Sequence, residues 1–179
     1  ELIHPHYRSL IRKLVDMDEW GQLATLRLMM VYARRCFPRR TRRVKKGAGS
    51  TKSKSVDKGF YDDEPTEEDK DDGDPSAYED VEILDPDLEL LLAASRPLLH
   101  SRNSAVILAV ARLYYYLGTP TYLQSAIGPL ISLLRSPPDI QHLALHNIVH
   151  IALSHAQLFI PYISHFLLRS TDAPYLWTL

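Results

Sequence analysis

Cysteine is all but absent from these 179 residues: Cys36 stands alone. One cysteine cannot close an internal disulfide, and such usage suits a reducing compartment. A dominant charge sign is lacking too. The net charge is −1, which excludes a global bias toward nucleic acid or anionic membrane. No uninterrupted apolar run reaches the roughly 18 residues of a bilayer-crossing helix. The first residues mix His, Pro, Arg and Lys, so no signal peptide is expected. The chain begins with Glu1 rather than Met and stops at Leu179 inside a helix-like run. It is therefore expected to be a piece of a longer protein, with apolar faces left bare at both cut ends.

Catalytic signatures are missing as well. No G-x-S-x-G nucleophile motif occurs. Gly47-Ala48-Gly49-Ser50 has the look of a phosphate loop but not its setting, since no strand precedes it and no helix follows. The acids cluster between residues 62 and 82, where nothing rigid aims them. The expectation is a non-enzyme with no catalytic residue, no cofactor and no small-molecule substrate. His142, His146 and His150 lie four residues apart and share one helix face. Two histidines at that spacing can grip zinc. Here Leu143 follows His142 where the H-E-x-x-H motif needs Glu, no Cys is near, and a stripe drifting over two turns cannot converge on one ion. No metal site is assigned. The stripe reads as a semi-polar outer face opposite Ile140, Ala144 and Ile148.

What the chain does have is a repeat. Leu98-Leu99-His100-Ser101, Leu133-Leu134-Arg135-Ser136 and Leu167-Leu168-Arg169-Ser170 read almost alike, and their serines are spaced by 35 and then 34 positions. Leu108-Ala109 falls on Leu143-Ala144 at the first offset, and Leu145 on Leu179 at the second. Recurrence at this period marks a solenoid, in which each helix pair buries its apolar side against its neighbours. After Asn103, a plausible N-cap, Val106, Val110, Leu113 and Leu117 recur at helical spacing, with Ile107 and Tyr114 widening the stripe. Arg112 is the only charge from Ser104 to Leu117. A helix that apolar needs neighbours on most sides. The expected fold is all-α: a right-handed α-α superhelix, a HEAT/armadillo-like solenoid, with a long disordered insertion.

In chain order, residues 4–15 read as an amphipathic helix with Leu10, Ile11, Leu14 and Val15 on one face. Asp18 caps a second helix over 20–37, with Leu23, Leu26, Met30, Ala33 and Phe37 inward and Pro38 as its stop. These first 37 residues form one helical pair. Asp85-Pro86-Asp87 restarts structure, and Leu88, Leu91, Leu92 and Ser95 face the core until Pro97. Gly118-Thr119-Pro120 closes the apolar helix. The spacing predicts further helices over 122–135, 139–152 and 161–168, and a truncated one opened by Asp172-Ala173-Pro174. Gly128-Pro129 inside the first of these predicts a kink or a late start. Residues 85–179 thus carry the remaining repeats. Asn147 lies on the buried side of its helix, between Ala144 and Ile151. A buried amide needs partners, and a bond to backbone in the turn between repeats is favoured over a ligand contact.

Residues 38–84 are different material. A basic block (Arg39, Arg40, Arg42, Arg43, Lys45, Lys46) leads through a Gly/Ser/Lys spacer into an acidic one. So few apolar residues cannot offset the ~1–2 kcal/mol per residue lost on ordering the backbone. The expectation is disorder, with the two blocks attracting each other loosely. Thr66, followed by Glu67, Glu68 and Asp69, and Ser76, three before Glu79, are candidate phosphorylation sites for acid-directed kinases.

Several stretches together resemble the large adaptins, and among them the beta subunits of adaptor protein complex 3. They are Asp18-Glu19-Trp20-Gly21-Gln22, Tyr32-Ala33-Arg34, Asp85-Pro86-Asp87, the run from Pro97 to Val106, Leu133-Leu134-Arg135-Ser136 and Arg169-Ser170-Thr171-Asp172. An acidic, Ser/Lys-containing insertion at this point is also like that subunit. The resemblance implies a trunk segment of a heterotetrameric vesicle-coat adaptor that sorts cargo from Golgi or endosomes to the lysosome or vacuole. It implies medium, small and second large chains as partners. It also implies a cytoplasmic location, peripheral on Golgi and endosomal membranes through the complex, with no nucleic acid bound. Two alternatives stay open from the residues: a generic tetratricopeptide-like binding scaffold, suited by the 34–35 spacing but lacking that module's Trp/Leu-Gly/Tyr pattern, and a nuclear transport or nucleic-acid factor using the basic block.

Overall fold

The computed structural model describes residues 3–37, 40–45, 78–167 and 174. The chain divides into two compact units, one made of Glu1–Pro38 with Leu84–Leu179 and the other of Arg39–Ile83.

The first unit is helical throughout its described residues. Its α-helices are α1 (Tyr7–Lys13), α2 (Glu19–Cys36), α3 (Pro86–Ser95), α4 (Ser104–Leu117), α5 (Pro120–Ser132) and α6 (Pro138–His155). Short 3₁₀ segments cover His4–His6, Arg96–His100 and Leu133–Arg135, and a longer one, Ala156–Phe166, follows α6 where the spacing predicts a separate helix over 161–168. Two layers result. In one, α2 packs on α4 and α4 on α6. In the other, α1 packs on α3, and α5 packs on the 3₁₀ segments that follow α3 and α6. Links from α3 to α4, α4 to α5 and α5 to α6 tie the layers together. This is the stacked-pair arrangement of a HEAT-like solenoid.

The repeated Leu-Leu signature has a specific backbone task. Leu98-Leu99 and Leu133-Leu134 sit in 3₁₀ turns that end each outer helix, with Leu98, Leu99 and Leu133 buried. In both turns the serine N–H donates to the first leucine's carbonyl: Ser101 to Leu98 at 3.1 Å and Ser136 to Leu133 at 3.0 Å. Both serines are extended, so the chain leaves the outer layer at the same point in each copy. Residues 168–170 of the third signature, and Asp172-Ala173 of the expected final helix start, lie outside the described residues.

Two helix starts follow their expected capping chemistry, whereas Asp18 holds the N-cap position of α2 without a side-chain bond to it. The Asp85 carboxylate accepts from Asp87 N–H at 2.9 Å, with Pro86 in the first turn. The Asn103 side chain accepts from Ala105 N–H at 2.9 Å, while its amide donates to Glu19 at 2.7 Å. That second bond fixes α4 to the start of α2. The expected late start of the fifth helix does not occur. Pro120 opens α5 after an extended Thr119, and the helix runs through Pro129. Pro120 is a suitable first-turn residue because its missing N–H would have no helical partner there.

The core follows the predicted stripes with local shifts. All six predicted residues of α4 are buried, as are Leu88, Leu91, Leu92 and Ser95 of α3. On α2 the inward residues are Gln22, Leu26, Met29 and Ala33, while Leu23, Met30 and Phe37 are half-buried. Of the first helix's predicted stripe, Ile11 and Leu14 are buried but Val15 is 45% exposed, and Tyr7 of α1 joins the core. Gln22 can be inward because its amide donates to the carbonyls of Val15 (3.3 Å) and Met17 (3.0 Å) in the preceding turn.

The second unit holds the described ends of the 38–84 segment. Strands β1 (Arg40–Lys45) and β2 (Tyr78–Ile83) pair antiparallel, from Arg40 opposite Ile83 to Lys45 opposite Tyr78. Thr66, Ser76, the Gly47–Ser50 stretch and the rest of 46–77 lie outside the described residues.

The helical run Pro138–Phe166 departs from another expectation. By length and composition it could cross a membrane, with a mean hydropathy of 1.3 over its most apolar window. Counting uninterrupted apolar residues misses it, because histidines and Asn147 punctuate it. Here it is a layer element: Ala144, Ile148, Ile151 and Phe159 join the common core.

Candidate functional site

A groove of about 580 Å³ lies between α2, α4 and α6. Leu26 and Leu108 form its buried floor, and Met30, Ala105 and Leu143 its partly exposed walls. Two exposed arginines stand in it, Arg27 on α2 and Arg112 on α4. They are equivalent positions of successive repeats. The caps Asp18 and Asn103 are 85 residues apart, and so are Arg27 and Arg112. The Arg39–Ile83 unit accounts for 45 of these residues. The remaining step of 40 is that of a HEAT unit.

Asn147 is the next rung, 35 positions beyond Arg112. Arg112 Nε donates to Asn147 Oδ1 at 2.8 Å, and Asn147 Nδ2 donates to the Leu143 carbonyl at 2.6 Å. The buried amide therefore finds backbone, as a buried polar group must, but on its own helix rather than in the turn between repeats. Its oxygen bridges to α4 instead.

The face continues as an aromatic and cationic strip. The Arg34 guanidinium lies 4.9 Å from the centre of the Tyr116 ring, a cation–π geometry. Tyr115 packs on His150 at 4.9 Å between ring centres and shares a 3.1 Å hydrogen bond with Ser154. His142, His146 and His150 are all exposed. Among the described residues, no three His, Cys, Asp or Glu side chains group closely enough to hold a metal ion.

Two buried phenols contrast with each other on the opposite side. Tyr114 Oη donates to the Leu92 carbonyl at 2.9 Å, and Ser95 Oγ donates to the same carbonyl at 2.9 Å. Burial pushes the Tyr114 phenol up, against the Ser95 hydrogen bond, which pulls it down. Tyr7 Oη is the buried side-chain oxygen without a hydrogen-bond partner among the described residues. Burial first, and then the nearby Asp87 and Tyr32, push its phenol well above the usual tyrosine range. Arg8 pairs with Asp87 at 2.7 Å, and that hydrogen bond, followed by the carboxylate's charge, pushes its guanidinium higher still. With Arg8 largely exposed, this pair ties α1 to α3 weakly.

Sequence reasoning missed the groove and Arg27. The signal was present in Arg112, a lone charge in an apolar helix, and in the 85-residue offset, which the insertion disguises. No nucleophile, paired acid or metal cluster shares the groove. What the geometry offers is a shaped, stacked-helix surface, which defines a helical-repeat scaffold.

The family of the adaptin N-terminal region matches residues 1–175, and the chain belongs to it. It is 36% identical over 173 residues to AP-3 complex subunit beta-1 of Bos taurus, covering 97% of this chain and 15% of that protein. It is 36% identical over 190 residues to AP-3 complex subunit beta of Dictyostelium discoideum, covering 98% of this chain and 16% of that protein. The corresponding subunit of Saccharomyces cerevisiae is 25% identical over 183 residues, covering 96% of this chain and 20% of that protein. The chain thus spans between about a seventh and a fifth of these relatives. Membership in this family displaces the tetratricopeptide-like alternative.

Proposed function

We propose that this chain is trunk material of a beta-type large subunit in a heterotetrameric AP-3-like coat adaptor. In this reading it is a non-enzymatic scaffold. Its stacked helices hold medium, small and second large chains. The complex sits peripherally on Golgi and endosomal membranes from the cytoplasm and sorts cargo toward the lysosome or vacuole.

The observation that carries the reading is the match to AP-3 beta subunits over nearly the whole chain, with the solenoid's repeated turns and caps inside the matched region. A stack of helix pairs suits the role physically, because each added pair extends a rigid wall without needing a closed core. Thr66 and Ser76 fit as sites where phosphorylation adds charge to an already acidic segment. Phosphopeptide mapping from cells checks this, and finding both unmodified removes it.

The decisive experiment is affinity purification of the tagged full-length protein. Medium, small and second large adaptor chains should co-purify in equal amounts. Recovery of the protein alone, or with nuclear import or nucleic-acid factors, would overturn the proposal.

A further inference from the structure

We infer that the groove between α2, α4 and α6 docks an acidic peptide segment, one that places an apolar side chain between carboxylates. The inference goes beyond assembly of an adaptor complex and concerns a separate ligand for the same scaffold.

Charge complementarity carries it. The groove-forming layer is cationic along its length. Arg27, Arg34, Arg35 and Arg112 lie on α2 and α4, while the acids of α2, α4 and α6 are confined to the first turns, at Glu19 and Asp139. Glu19 is engaged by Asn103, and at 1.5 Å per residue it lies about 12 Å along α2 from Arg27. Among the described residues neither groove arginine pairs with a carboxylate. Arg112 is also pre-positioned. Its Nε is held by the buried Asn147 amide, which is itself anchored to the Leu143 carbonyl. A guanidinium fixed at Nε keeps its two Nη groups as a fork for one carboxylate, and bidentate pairing of that kind is both strong and directional.

The apolar half of the ligand is defined by the floor and walls. Leu26 and Leu108 lie beneath, with Met30, Ala105 and Leu143 around them. A space of about 580 Å³ falls within the usual range for ligand pockets. It accommodates a phenylalanine or leucine side chain with its flanking backbone. A lipid headgroup would use the cations but leave this floor unfilled, so a peptide is the better match.

The test is fluorescence polarisation of a labelled Glu-Glu-Phe-Glu-Glu peptide on the full chain, with a Gln-Gln-Phe-Gln-Gln peptide as its neutral counterpart. The acidic peptide should bind at least tenfold more tightly than the neutral one, and binding should weaken as NaCl rises from 0.05 to 0.5 M. The R27E/R112E double variant should lose at least tenfold, with an unchanged circular-dichroism melting curve. R27Q/R112Q serves if charge reversal unfolds the chain, and Leu143→Asp should weaken binding through the apolar wall. Equal binding of both peptides, or wild-type affinity in the double variants, would overturn the inference. So would failure to bind the acidic peptide while the arginines prove necessary for cosedimentation with phosphatidylserine vesicles, which would make the face a membrane contact. Co-purification of adaptor chains reads a different property, so either result can fail without the other.

Discussion

At the scale of single residues, two tyrosines of one chemical type sit in opposite situations. Tyr114 spends its hydroxyl on a helix-end carbonyl, whereas Tyr7 buries its hydroxyl without a partner among the described residues. An unsatisfied buried hydroxyl costs about 1–3 kcal/mol, so removing it is expected to help. Tyr7→Phe should raise the melting temperature by a few degrees, equivalent to about 1 kcal/mol, and Tyr114→Phe should lower it by a similar amount. Both phenols titrate higher in the folded chain than in the unfolded one. Their contribution is therefore complete below about pH 10, the unfolded value, and is lost as pH rises beyond it, because only the unfolded chain can release these protons. Melting curves from pH 7 to 11 should fall above pH 10, and less steeply in either Phe variant. A pH-independent melting temperature over that range would contradict the assignment.

The helix is the scale at which the capping chemistry acts. Asn103 does two jobs, closing the first turn of α4 and reaching Glu19 at the head of α2. Asn103→Ala should cost about 1–2 kcal/mol, the upper range for a cap, because two bonds go together. Chemical denaturation with an unchanged slope checks it. A Glu19→Ala variant should show a smaller loss, and the two effects should be non-additive in a double-mutant cycle. The long run Pro138–Phe166 makes a different prediction. Leu153 is 82% exposed and Ile160 61% exposed, so neither contributes much burial. Leu153→Glu should leave stability within about 0.5 kcal/mol of the parent by chemical denaturation. A large loss of stability would mean that this side chain is covered in solution.

For the molecule as a whole, the two layers matter more than any residue. The outer layer supplies the turns that set the repeat, and the α2–α4–α6 layer supplies the surface. Co-purification of adaptor chains tests the scaffold as a unit, and peptide binding tests the groove within it. The groove exists only because Arg27 and Arg112, separated by a whole inserted unit, become neighbours when consecutive repeats stack. No local pattern contains that proximity.

The amino-acid order alone determined the period of the solenoid, the cap residues Asp85 and Asn103, the inner stripes of α3 and α4, and the family. These depend on short-range chemistry: helical spacing, caps and repeated turns, all written within a few residues of one another. Tertiary contact decided the rest. Asn147 chose Arg112 over the inter-repeat turn, Tyr7 joined the core while Val15 stayed exposed, and the ends of the charged insertion paired as strands β1 and β2. Each outcome turns on a partner at least 25 residues away in sequence, and the free energy of meeting that partner is set by packing and register, which no local stretch encodes.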